Sequence, residues 1–145
     1  MSESETIHAT CIAIGDRGIL LCGPSGSGKS DLAIRLIDRG AMLVSDDYTR
    51  LAVADSLLTG SAPSTIAGQI ELRGVGIVER PFRAEAPIAL AVELGQPPER
   101  MPEPATRIWL GQSIPVVALN GLEPSAPIKV EAALALHGLT SSCRS

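Results

Sequence analysis

The run Gly23-Pro24-Ser25-Gly26-Ser27-Gly28-Lys29-Ser30 restricts the fold of this chain more than any other feature. It matches G-x-x-x-x-G-K-S, with Gly23, Gly28, Lys29 and Ser30 at the defining positions, and a loop of this kind works only where a strand ends and a helix begins. Glycines let successive backbone N–H groups turn inward around phosphate oxygens. The start of the helix adds a favourable dipole, the lysine a fixed cation, and the serine hydroxyl can ligate Mg2+. The flanking residues meet the requirement. Gly18 to Cys22 is an apolar run, and from Lys29 onward Ala33, Leu36 and Ile37 recur on one helical face among Asp31, Arg35, Asp38 and Arg39. Gly40 stands where such a helix closes. Gly23 to Ser30 are therefore expected to hold the phosphates of a nucleotide.

Upstream, Ile7 to Ile14 is mostly apolar and Gly15-Asp16-Arg17-Gly18 supplies turn chemistry, so a β-hairpin feeds its second strand into the loop. Downstream, Ala41 to Ser45 is a short apolar run that ends in Asp46 and Asp47. Strand, loop, helix, strand is the order of an α/β nucleotide-binding core. The expected fold is α/β: a single P-loop nucleotide-binding domain over residues 1–145, with a mixed β-sheet flanked by helices. Tyr48 to Val53 reads as a further strand, Gly60 to Gly68 as loop, and Gln69 to Val78 as an alternating stretch interrupted by Gly74 and Gly76. Ile88 to Leu94 and Ile114 to Leu119 read as strands, joined by a proline-rich surface connection from Gln96 to Pro104, and Ala126 to His137 as a closing helix.

Transfer of a phosphoryl group also needs carboxylates near the phosphates, to orient a metal and to take the proton of the acceptor. Asp46 and Asp47 stand at the carboxyl end of the strand after the first crossover, where a doubly wound sheet opens its ligand crevice. They form a candidate catalytic pair, and spacing does not say which of them is the base. From position alone, His8 at a strand end, His137 in the closing helix and Glu71 in an extended stretch read as structural or solvent-facing.

Composition removes several classes of function. The chain has one Trp, one Tyr and one Phe, too few for base stacking on single-stranded nucleic acid. Its formal charge is −4 and its twelve Lys and Arg residues form no basic run, which argues against a nucleic-acid or anionic-membrane surface. No apolar run approaches the roughly eighteen residues of a membrane span. Cys11, Cys22 and Cys143 form no CxxC pair, so neither a zinc site nor a disulfide framework is expected. The opening residues, MSESETIHA, lack the basic and apolar regions of a signal peptide. A cytoplasmic protein is the expectation.

Taken in order, these motifs resemble the catalytic domain of HPr kinase/phosphorylase. That family phosphorylates a seryl residue of HPr, the small phosphocarrier of the bacterial phosphotransferase system, and many members reverse the reaction by phosphorolysis. The resemblance rests on His8 before the hairpin, GPSGSGKSD, the run LIDRGAMLVSDD from Leu36 to Asp47, and IELRGVGIV from Ile70 to Val78. It is strongest over residues 8–78. Beyond Ile88 it consists of the strand pattern, Leu110-Gly111, Ile114-Pro115 and Val130-Glu131-Ala132-Ala133. The amino-terminal domain of the long members has no counterpart in these residues, and short chains of this kind resemble those of α-proteobacteria.

The resemblance implies Mg2+ and ATP as cofactors and HPr as partner. It implies Lys29 as the phosphate-binding lysine, Ser30 and Glu71 as magnesium ligands, and Asp47 as the carboxylate that accepts the seryl proton. His8 would stand beside that aspartate, Asp46 would be an adjacent supporting acid, and Arg100 a further active-site arginine. A homo-oligomer, hexameric in the family, is implied as well. The segment Asn120 to Ser125 replaces a basic loop tied to phosphorolysis and carries no positive charge, so the resemblance carries the kinase direction further than the reverse one. Two other readings stand beside it. One is a small-molecule P-loop kinase, whose arginine-bearing lid could come only from Arg73, Arg80 and Arg83. The other is an ATP-binding regulatory module that transfers nothing.

Overall fold

The computed structural model describes residues 3–95, 97 and 103–140. Arg100, Cys143 and most of the proline-rich Gln96 to Pro104 lie outside these residues. The strands are β1 (Ser4–Ile7), β2 (Ala9–Ile14), β3 (Arg17–Cys22), β4 (Met42–Ser45), β5 (Thr49–Ala54), β6 (Leu57–Ser61), β7 (Gln69–Leu72), β8 (Gly76–Glu79), β9 (Glu85–Glu93), β10 (Ala105–Trp109) and β11 (Gln112–Ala118). Helix α1 (Lys29–Asp38) follows β3, and α2 (Ala126–His137) closes the chain.

A nine-stranded mixed sheet carries the fold, in the order β1-β5-β6-β9-β3-β2-β4, with β11 joining β9 and β10 joining β11. The strands β3 and β4 on either side of α1 are not neighbours. The antiparallel strand β2 lies between them, so the sheet departs from the doubly wound parallel order. Because β3 and β4 are both antiparallel to β2, they run the same way, and their carboxyl ends open on one edge of the sheet. The start of β2 lies on that same edge, since Ala9 pairs with Cys22 and Cys11 with Ser45.

The central strands are buried on both faces, which is why they read as continuous apolar runs rather than alternating ones. Ile12, Ile19, Leu21, Leu43, Leu90 and Val92 face Leu32, Leu36, Val130 and Leu134 of the two helices. Cys11, Ala13, Leu20, Val44 and Ala91 face the other way, against Leu51, Leu58, Trp109 and Ile114. Both helices thus pack on one face, and the strands of the curled sheet cover the second. Strand β9 makes the curl. Its first residues, Glu85 to Pro87, pair with β6, while Ala91 to Glu93 pair with β11.

Three strands, β1, β6 and β10, were not expected from the sequence. Ser4–Ile7 is polar and mostly exposed, so it has no apolar signature; it is a strand because it pairs with β5. Gly60 reads in sequence as the start of a loop but lies within β6, where a Cβ would come within 3.0 Å of Ile88 Cδ1 and 3.3 Å of Thr49 Cγ2. The β5–β6 turn is made by Asp55 and Ser56, both with positive φ (53° and 65°), the geometry of a tight two-residue hairpin. Gln69 to Val78 is not one stretch either. It folds into the separate hairpin β7–β8, with Gly74 and Gly76 at φ 87° and 124°.

Candidate active site

The loop from Gly23 to Ser30 joins β3 to α1 at the open edge of the sheet. Gly23 and Gly28 have φ 148° and 95°. A Cβ at Gly23 would meet Ser27 Oγ at 2.7 Å, and one at Gly28 would displace the end of the exposed Leu122 side chain, whose Cδ2 lies at 2.8 Å. Ser27 N–H donates to Pro24 O at 3.1 Å and tightens the loop. Its hydroxyl is buried with no hydrogen-bond partner among the described residues.

Lys29 opens α1 and is almost fully buried. Its Nζ donates to Gly23 O at 2.9 Å and Pro24 O at 3.1 Å. Two of its three N–H groups are thereby spent on carbonyls, which leaves a buried positive charge with one donor free for an anion. Carbonyl dipoles alone are a poor counter-charge, so the chemistry of the loop fits a phosphate chain.

The two aspartates follow β4 directly and have different surroundings. Asp46 is buried. Its Oδ1 accepts from Ser30 Oγ at 2.5 Å and from Thr10 Oγ1 at 3.2 Å, and its Oδ2 accepts from the Glu71 N–H at 3.0 Å. Asp47 has φ 70°, a left-handed conformation that costs a residue with a Cβ about 1 kcal/mol or more. Local bonds hold it there. Tyr48 N–H donates to Asp46 O at 2.8 Å, the Asp47 N–H donates to Thr10 Oγ1 at 3.0 Å, and Ser45 Oγ donates to Tyr48 O. The result turns the Asp47 carboxylate outward, where its Oδ1 meets His8 Nε2 at 2.8 Å. The Asp47 side chain is 52% exposed, and the His8 ring lies 5.2 Å from that of Tyr48.

A cleft of about 580 Å³ is lined by Ser25, Gly26, Gly28, Lys29 and Ser30 of the loop and by Asp46, Asp47, Glu71 and Arg73. Gly23, Pro24 and Ser27 form the back of the loop rather than its lining, and His8 reaches the cleft only through Asp47. Glu71 arrives on β7, its side chain exposed toward the cleft while its backbone N–H is held by Asp46. Of the arginines considered as a lid, Arg73 lines the cleft. Arg80 donates to Glu79 O and Arg83 to Gly15 O, both away from it. Among the described residues no cluster of three or more His, Cys, Asp or Glu side chains could hold a metal alone. The oxygen ligands Ser30 and Glu71 suit a hard cation that shares its shell with phosphate oxygens.

Three contributors fall outside the sequence motifs. Thr10 is a single buried hydroxyl in an otherwise apolar strand. Arg35 donates to Glu123 O at 2.9 Å, to Gly121 O, and through Nε to Asp31 Oδ2 at 3.0 Å. It thereby ties the Asn120–Ser125 segment to α1 and sets Leu122 over Gly28, at the rim of the cleft. A polar residue inside an apolar run was a legible hint for Thr10. The other two depend on chain segments far apart in sequence.

The family model described as HPr Serine kinase C-terminal domain matches residues 1–101. A protein of Clostridium acetobutylicum named HPr kinase/phosphorylase is 43% identical over 81 residues, 56% of this chain and 27% of that protein. One of the same name from Lachnoclostridium phytofermentans is 44% identical over 75 residues, 51% of this chain and 24% of that protein. The chain thus spans about a quarter of the length of these curated relatives. Among solved structures, the Hpr(Ser) kinase/phosphatase from Coxiella burnetii matches with a TM-score of 0.80 and 31% identity, over 92% of this chain and 90% of that one.

Proposed function

The chain belongs to the HPr Serine kinase C-terminal domain family, and from that premise we propose that it is the catalytic domain of a Mg2+-ATP-dependent protein serine kinase acting on an HPr-type phosphocarrier. Backbone N–H groups of the glycine loop and the Lys29 ammonium bind the β- and γ-phosphates. Ser30 and Glu71 would hold Mg2+, which neutralises charge on the phosphate oxygens when bound. Asp46 keeps the Ser30 hydroxyl directed. Asp47 takes the proton of the seryl hydroxyl as its oxygen bonds to the γ-phosphorus and the bond to ADP breaks, while His8 holds one oxygen of that carboxylate in place. Catalysis on this account is alignment plus charge neutralisation.

One observation carries the reading: the Asp47 carboxylate lines the same cleft as Lys29 and is half open to solvent. A base placed at the mouth of an open cleft suits a serine presented on the surface of another protein. A small metabolite would need closure, and two of the three arginines that could close this site are engaged elsewhere. No helix among the described residues is long and apolar enough to cross a membrane, and the proposed reaction belongs in the cytoplasm, with a homo-oligomer as the working form.

Incubation of the purified protein with Mg2+, γ-labelled ATP and HPr tests this directly. Label is expected on an HPr serine, and adding phosphate to the phosphorylated HPr asks whether phosphorolysis also occurs. ATP binding without any transfer would sink the kinase reading and leave a regulatory module.

A further inference from the structure

Thr10 is fully buried, and a buried hydroxyl has to find partners. It finds two, and they belong to consecutive acids: it donates to Asp46 Oδ1 at 3.2 Å and accepts the Asp47 N–H at 3.0 Å. Its neighbours Ala9, Cys11, Ile12 and Ala13 are apolar and buried, so nothing in the packing of β2 asks for a polar side chain here. What the hydroxyl holds is the turn itself. Asp46 points inward to Ser30, and Asp47, at φ 70°, points outward to His8. The peptide between them has to stay in a conformation that an aspartate does not favour by itself. Thr49 Oγ1, donating to Ala9 O at 2.8 Å, fastens the residues after the turn to the same strand.

We propose that Thr10 is a positioning residue: its hydroxyl fixes the Asp46–Asp47 peptide against β2 and so sets the spacing between the metal-orienting acid and the proton-accepting acid. The side chain does not reach the cleft and acts through the two aspartates. The kinetic part of this inference rests on the kinase reading; the structural part does not.

Two substitutions separate hydrogen bonding from packing. Thr10→Val keeps the shape and removes the hydroxyl, whereas Thr10→Ser keeps the hydroxyl and removes a methyl. In the HPr transfer assay, Thr10→Val is expected to lower kcat at least about tenfold while KM for ATP moves less than about threefold, and Thr10→Ser to stay within about threefold of the parent. Amide hydrogen exchange followed by NMR gives a readout that needs no turnover. The Asp47 amide is expected to exchange at least about tenfold faster in Thr10→Val and at the parental rate in Thr10→Ser, with the amides of β3 unchanged in both. A Thr10→Val protein with parental kcat and a protected Asp47 amide overturns the proposal, as does a Thr10→Ser protein that loses as much as Thr10→Val. If the parent protein transfers nothing to HPr, the kinase reading falls and the exchange of Asp47 alone decides what Thr10 does.

Discussion

Asp46 and Asp47 are chemically identical, and the fold gives them opposite surroundings. Asp46 is buried with both oxygens engaged by Thr10, Ser30 and the Glu71 N–H. A carboxylate so occupied has little capacity left to receive a proton from an incoming alcohol. Asp47 is bonded by His8 on one oxygen, its side chain is half exposed, and the residue lines the cleft. Asp47→Asn preserves the shape of the side chain and removes its basicity. Transfer to HPr is expected to fall by about 10²–10⁴-fold, the range of a lost general base, with ATP affinity little changed because the phosphate contacts come from the loop and Lys29. Single-turnover kinetics beside equilibrium nucleotide binding checks this. An equal loss in both measurements would move Asp47 from proton transfer to nucleotide binding.

The hairpin β7–β8 shows how an element delivers a side chain. Pairing sets Glu71 opposite Ile77 and Ile70 opposite Val78, so the two faces of the hairpin alternate. Ile70 is 1% exposed and packs with the residues beneath α1, whereas Ile77 is 68% exposed. The buried face anchors the hairpin, and the other holds Glu71 at the cleft. Ile70→Ala is expected to cost about 2–5 kcal/mol of stability and to weaken Mg2+-dependent ATP binding, because Glu71 and its N–H bond to Asp46 shift with the strand. Ile77→Ala, on the exposed face, should stay within about 0.5 kcal/mol. Denaturant unfolding and nucleotide titrations at varied Mg2+ report on both. The sequence shows the alternation but not the fold-back, because the positive φ of Gly74 and Gly76 turns what reads as one strand into two.

Across the whole molecule, the sheet is wrapped so that Cys11 and Cys22 lie inside its second core. Burial pushes both thiols up to about 12. For Cys22 the nearby Glu93 adds to the rise, and Arg107 and Lys29 oppose it. The unfolded chain ionises its thiols nearer 9.0, so the folded state keeps its full advantage below that value. The advantage is lost as pH climbs from about 9 toward 12. The thermal midpoint is expected to fall through this window, less steeply in a Cys11→Ala/Cys22→Ala protein. At pH 8 both native thiols should resist alkylation that proceeds readily after denaturation, and mass spectrometry of the labelled peptides distinguishes the two. Fast labelling of Cys22 in the native protein would show that the core beneath the glycine loop opens.

How much of this could be read from one dimension follows from how far apart the cooperating residues lie. The glycine loop, the helix from Lys29 to Asp38, the acids after β4 and the helix from Ala126 to His137 depend on contacts within a few residues: positive φ at glycines, apolar period and end signals. A linear chain displays such things directly. His8 meets Asp47 across thirty-nine positions of sequence because β2 inserts antiparallel between β3 and β4. Thr10 reaches both acids for the same reason, and Arg35 carries Leu122 to the loop across some eighty-seven. Strand order and register are settled by burying both faces of the sheet at once. That condition involves every strand together and is written in no single segment, so the glycine loop was legible in the sequence, while the residues packed around it were decided by the tertiary fold.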